Sequence, residues 1–175
     1  MNQFTDEPLS PADRAHLQAR SWFAVVSAYQ TCERQYAKLL AGFGLTIAQF
    51  EVLNVIDELG ERATPAQIAQ RLLVTKGNIT GLLKRLSEQQ LIAMSPNPED
   101  GRSQRCSLAP GVAARLTTVR RAGAAFIAEQ LAPFTDAQLQ QTETQMKRMR
   151  EQLQSMDIDR QLARAQEGVP DDHRR

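Results

Sequence analysis

Apolar residues recur along this chain with two different periods, and the change of period divides it into segments. From Ser10 to about Gly44, Trp22, Val25, Tyr29, Cys32, Tyr36, Leu39 and Phe43 are spaced alternately three and four apart, the repeat of a long helix with a narrow apolar seam. Ser10-Pro11-Ala12-Asp13 predicts its start, with a capping hydroxyl before a proline suited to the first helical position. A second helix is expected from Thr46 to Leu59, opened by the Thr46/Gln49 capping box and stopped by Gly60. Thr64-Pro65-Ala66-Gln67 opens a third, running to about Leu73. Thr75 opens a fourth, with Ile79, Leu82, Leu83 and Leu86 on one side and Lys76, Asn78, Thr80, Gly81 and Lys84 on the other. Strand-like segments follow, Leu91 to Met94 and Gln104 to Leu108, joined by the turn-forming run Pro96 to Arg102. Helical spacing returns from Pro110 to about Leu131, through Val112, Leu116, Val119, Phe126 and Ile127. Pro133 interrupts it, and a last helix starts at Thr135-Asp136, where Leu139, Thr142, Met146, Met149, Leu153 and Met156 again step by three and four.

This order predicts a mainly α fold with a small β-hairpin wing. A winged helix-turn-helix over 45–109 is flanked by long dimerisation helices, 10–44 ahead and 110–156 behind. The tail, 157–175, is charged, lacks periodicity and is expected to be partly disordered. Two terminal segments with narrow apolar seams are hard to bury within one small subunit, so a two-fold homodimer is the economical arrangement.

The net charge of the 175-residue chain is only +1, which by itself says nothing of nucleic acid. Its distribution does. Between Arg62 and Arg105 seven basic residues face three acidic ones, so the positive balance sits on the winged segment. Short and hydrogen-bonding side chains near the start of the fourth helix are suited to base edges in a major groove, and a lone arginine on a hairpin tip beside it is suited to the minor groove. We read Thr64, Thr75, Lys76, Asn78, Thr80, Lys84, Arg102 and Ser103 as the DNA-contacting set. Asp100 is expected to brace the wing by accepting hydrogen bonds near Arg102, since an acid beside phosphates is repelled.

Leu45-Thr46, Gln49-Phe50 and Val52-Leu53, then Thr64 to Leu91, then Asp100-Gly101-Arg102-Ser103 with Ser107-Leu108, together resemble the MarR family of bacterial transcriptional regulators, over about Ser10 to Met156. The resemblance implies a homodimer, one winged helix per subunit, binding a pseudopalindromic double-stranded DNA operator, usually as a repressor released by a small ligand or by oxidation. Gly81 stands where the family often has a basic residue, Lys84 and Ser87 stand where acidic residues are common, and Ala109 replaces the usual capping Thr. By the same resemblance a small-molecule effector would lie between the dimerising helices and the winged module, with Trp22, Phe23, Tyr29, Phe43, Phe50 and Arg105 as the nearby residues. Thiol sensing, found in some relatives, makes Cys32 the candidate redox residue, with Cys106 behind it; a free cysteine on an apolar seam more often acts as a small hydrophobe.

Other chemistry finds little support in the residues. His16 and His173 stand at opposite ends of the chain and define no metal site. Phosphate-binding glycine patterns and a nucleophile-base-orienter grouping are both missing, so neither an enzyme nor a cofactor is expected. The chain has no apolar run of about twenty residues and no signal-like amino terminus, which predicts a cytoplasmic protein without membrane contact. Two alternatives to a ligand-released regulator stay open at this point: a thiol-based redox-responsive regulator, and a protein-binding helical dimer that has lost DNA reading.

Overall fold

The structure, a computed structural model, describes residues 8–98 and 100–167, apart from the side chains of Lys76 and Glu167. Its element order is α1 (Pro11–Ala41), α2 (Ile47–Leu59), a single 3-10 turn (Gly60–Arg62), α3 (Pro65–Leu72), α4 (Lys76–Glu88), β1 (Ile92–Asn97), β2 (Asp100–Leu108), α5 (Val112–Leu131), α6 (Asp136–Ser155) and α7 (Ile158–Glu167).

The helix starts follow from local chemistry. Ser10, Thr46, Thr64, Thr75 and Thr135 each accept a hydrogen bond from the backbone amide three residues on, and at Thr46, Thr64 and Thr135 a glutamine closes the box by accepting from the cap's own amide. One stop, close to its expected place, is made by an unusual residue. Helix α3 ends at Leu72, and Leu73 takes a left-handed conformation (φ 55°) with 93% of its surface exposed. A β-carbon in that region is strained, and the turn of the helix-turn-helix is made by this leucine rather than by a glycine.

The described residues form two compact units, divided between Ile127 and Ala128. In the first, Leu40 and Leu45 at the end of α1, Val52, Leu53 and Ile56 of α2, Ile68 of α3, Ile79, Leu83 and Leu86 of α4, Ile92 and Cys106 of the strands, and Leu116 and Val119 of α5 make one continuous apolar core. The strands pair antiparallel, Ile92 with Leu108 through Pro96 with Gln104. The amide of Cys106 also donates to the carbonyl of Ala63 at 2.7 Å, tying the hairpin to the residue that precedes α3. Two arginines of α5 reach back to the start of the module. Arg115 donates to the carbonyl of Phe43, and Arg120 donates to Asn54 Oδ1 at 2.7 Å and pairs with Asp57 at 2.7 Å.

The second unit is helical, and α6 has no buried residue. Helix α7 is a correction to the sequence reading, which gave 157–175 no regular structure: ten residues with Ile158 and Leu162 one turn apart and Asp157 accepting from the Arg160 amide do form a helix. The sequence signal was too short for a periodicity count to register. The expected disorder at the end of the tail, 168–175, lies outside the described residues. No helix among the described residues is long and apolar enough to cross a membrane, and no cluster of potential metal ligands occurs among them.

Candidate nucleic-acid interface

Helix α4 is amphipathic in the literal sense of its burial. Ile79, Leu83 and Leu86 are at most 1% exposed, while Thr80 and Lys84 face outward between them. The buried edge is held from the far side by Gln49, itself a buried polar side chain. Its Oε1 accepts from the Thr46 amide, and its Nε2 donates to Oε1 of Gln89 at 2.7 Å, at the end of α4. A side chain satisfied at both ends fixes where α4 lies against α2, since leaving either group unpaired in that setting costs on the order of 1–3 kcal/mol. The capping role of Gln49 is visible in the sequence; its partner forty residues away is not.

In front of α4 lies a concavity of about 670 Å³, lined by Thr64, Pro65 and Ala66 at the start of α3, Thr80, Leu83, Lys84, Ser87 and Glu88 of α4, and Met94, Arg102, Ser103 and Gln104 of the hairpin. Five of the eight residues read as DNA contacts, Thr64, Thr80, Lys84, Arg102 and Ser103, therefore meet on one wall. On the other flank of α4 a second hollow of about 700 Å³ runs toward α2, lined among others by Gly77, Asn78, Gly81, Arg85 and Glu51. Asn78 belongs to this side. The helix thus stands as a ridge between two hollows, a relief suited to entering a groove. The side chain of Lys76 lies outside the described residues.

Several of these side chains carry internal duties. Thr64 Oγ1 accepts from the Gln67 amide and donates to Gln67 Oε1, and Thr75 caps α4 through the Asn78 amide. Lys84 lies 3.8 Å from Glu88 in an exposed pair, worth little and easily exchanged for another anion. Arg102 is exposed. Asp100 Oδ1 accepts from the amide of Arg102 at 3.0 Å. Ser103 is also engaged within the wing: its hydroxyl donates to the carbonyl of Asp100 at 3.1 Å and accepts from Nδ2 of Asn97 at 2.9 Å. Gln104 and Asn97 belong to this region without having been singled out from the sequence, and Ser87 had been noted only as a departure from the family pattern; alternation along β2 was the signal available for Gln104.

The six residues expected around an effector do not gather within the single chain. Trp22, Phe23 and Tyr29 are 62–67% exposed on α1. Phe50 is in the core, edge-on to Tyr36 at a ring separation of 6.3 Å, and Phe43 packs against that core. Arg105 lies on β2 opposite Ser95, with its Nε buried and without a hydrogen-bond partner. Cys32 is half-buried. Cys106 is fully buried, and burial pushes its thiol up to about 11, which keeps it protonated and unreactive at neutral pH.

The MarR family model matches residues 43–103, from the α1–α2 turn into β2. Over that stretch the chain is similar to the MarR family. The organic hydroperoxide resistance transcriptional regulator of Bacillus subtilis is 29% identical over 96 residues, 55% of this chain and 65% of the relative, so the match spans less than two thirds of that protein's length. Among solved structures, a MarR variant from E. coli complexed with operator DNA is 23% identical with a TM-score of 0.63, covering 81% of this chain and 99% of that one. An organohalide-sensing transcriptional regulator in its 2,4-dichlorophenol-bound form is 15% identical with a TM-score of 0.69, covering 87% and 89%. At these identities the structural likeness establishes the winged-helix fold.

Proposed function

We propose that this chain is a cytoplasmic transcriptional regulator of the MarR family, not an enzyme, that binds a pseudopalindromic DNA operator as a homodimer and represses until a small aromatic or anionic ligand releases it. The observation that carries the reading is the concavity of about 670 Å³ in which the start of α3, the outer face of α4 and the wing meet. In this reading Lys76, Asn78, Thr80 and Lys84 dock in the major groove, Thr64 and Thr75 approach the backbone, and Arg102 enters the minor groove. The operator complex of the E. coli relative supports the DNA part, and the dichlorophenol complex of the organohalide sensor supports the effector part. The exposed aromatic residues of α1 and the exposed Leu153 of α6 support burial against a second copy. An effector acts by favouring a dimer whose recognition helices no longer match the roughly 34–36 Å between successive major grooves.

Titration of a labelled duplex, chosen by the protein itself from a random-sequence pool, at several salt concentrations tests the reading. Affinity is expected to fall steeply and linearly on a log-log plot with salt. Enrichment of no sequence, or binding indifferent to salt, removes the regulator reading and leaves a helical protein-binding dimer.

A further inference from the structure

Regular pairing in the wing stops abruptly. Pro96 pairs with Gln104, but the next residue, Asn97, pairs with Asp100, so Gly101, Arg102 and Ser103 are looped out of the ladder on the β2 side alone. A bulge of this kind frees the residues within it from the backbone bonds that would set their direction. Proline at 96 offers no amide to the ladder, which suits a position where pairing ends. Arg102 is at the centre of the bulge, and a long side chain on an unbraced loop would pay its ordering entropy on meeting DNA.

Side chains replace the missing ladder. Asn97, whose regular partner would have been Ser103, reaches that residue through its side chain instead: Nδ2 donates to Ser103 Oγ at 2.9 Å. Ser103 Oγ–H in turn donates a hydrogen bond to the carbonyl of Asp100 at 3.1 Å. Asp100 Oδ1 accepts the amide of Arg102 at 3.0 Å. The backbone is therefore pinned to Asp100 on both sides of Arg102, and the relay begins at Asn97, which is half-buried. Its direction matters. The hydroxyl has one proton, and it stays on the Asp100 carbonyl because Asn97 supplies a donor.

We propose that Asn97 is a positioning residue for Arg102, acting through Ser103 and Asp100 to hold the bulge in the shape that presents the arginine to DNA. This assigns Ser103 to the brace rather than to the DNA, and it rests on the DNA-binding reading given above.

The test uses the full-length protein and a fluorescent duplex enriched by the wild type from a random-sequence pool. Asn97→Leu, close in size but without a donor, and Ser103→Ala are each expected to weaken binding about tenfold, while Ser103→Thr, which keeps the hydroxyl, binds within about twofold of wild type. Asn97→Leu/Arg102→Ala is expected to bind no more weakly than Arg102→Ala alone, because both remove the same contact. The slope of log affinity against log salt falls by about one for Asn97→Leu and for Arg102→Ala alike. Wild-type affinity in Asn97→Leu, losses that multiply in the double variant, or equal losses from Ser103→Ala and Ser103→Thr overturn the role of Asn97 and leave DNA binding standing. A wild-type protein that enriches no duplex overturns the DNA reading, and this role with it. Should Asn97→Leu fail to fold, the Ser103→Ala and Ser103→Thr pair decides the matter.

Discussion

The winged module and helix α6 use apolar residues in opposite ways. Every buried hydrophobic side chain among the described residues lies between Leu40 and Val119, while α6, twenty residues long with a regular apolar step, buries none. The module is closed on itself, since helices α2 to α5 and the hairpin share one core. On α6 Leu153 is 61% exposed, and an apolar residue left uncovered at heptad spacing is suited to packing against another helix. One region stores the free energy of folding of the chain; the other holds apolar surface available for association.

The contrast can be broken or sharpened by substitution. The largest effect is expected at the centre of the core: Leu53→Ala should lower the unfolding free energy by roughly 2–5 kcal/mol, read by urea denaturation, with a midpoint that falls at every protein concentration. Leu153→Asp should instead shift the sedimentation mass from two chains toward one and remove the concentration dependence of the melting temperature that a dimer shows. A mass unchanged by Leu153→Asp would strike α6 from the interface.

Next in size is the buried thiol of Cys106, raised from 9.0 to about 11. Because the folded state holds this proton more tightly than the unfolded chain, the associated stability is complete at neutral pH and is lost as pH rises from about 9 towards 11. The loss should be on the order of 2 kcal/mol. Comparison with Cys106→Ala over that range checks it: parallel curves for the two proteins would show that the thiol contributes no such linkage.

A cost of similar size is expected at Gly123, where an added β-carbon would stand 2.8 Å from the Tyr36 hydroxyl oxygen. Gly123→Ala should destabilise by roughly 1–3 kcal/mol, and removing that oxygen with Tyr36→Phe should recover much of it. Tyr36 also stacks near Phe126, at 5.4 Å between ring centres, so failure of the rescue would move the strain from the hydroxyl to the ring. Smallest is Gly81→Ala. The nearest atom to its added β-carbon is an Arg85 guanidinium nitrogen at 3.8 Å, and the gain in helix propensity should stabilise α4 by about 0.5–1 kcal/mol. A destabilised variant would mean that α4 needs the glycine for a reason other than space.

What could be read from the residues alone was whatever is decided within four positions along the chain. Thr46 with Gln49, Thr64 with Gln67 and Thr135 with Gln138 announce helix starts because cap and partner lie on the same turn. The bracing of Arg102 by Asp100 spans two residues and was equally visible. The link from Gln49 to Gln89 and the reach of Arg120 to Asn54 and Asp57 were not, because only the folded chain brings them together. The bonds of Ser103 within the wing were hidden for a related reason: a serine beside a wing arginine has the chemistry of a phosphate contact, and the bulge that brings it to Asn97 and Asp100 is a matter of register. The aromatic residues expected around a ligand failed to converge because spacing along a helix says which residues share a face, and not what that face meets. Helix α7 escaped notice because two apolar residues one turn apart are too few to establish a period.

The bond from the Cys106 amide to the Ala63 carbonyl has a consequence for how the wing opens. In a two-stranded hairpin the tip can fray while the base stays paired, and this one bond anchors the base to the residue before α3. Local opening should therefore proceed from Arg102 inward and stall at Cys106. In native-state hydrogen exchange the Cys106 amide should exchange only when the whole module unfolds, while amides of the looped-out segment exchange by fluctuations that leave the helices intact. Opening of the arm and unfolding of the body would then appear as two separate events within one small domain.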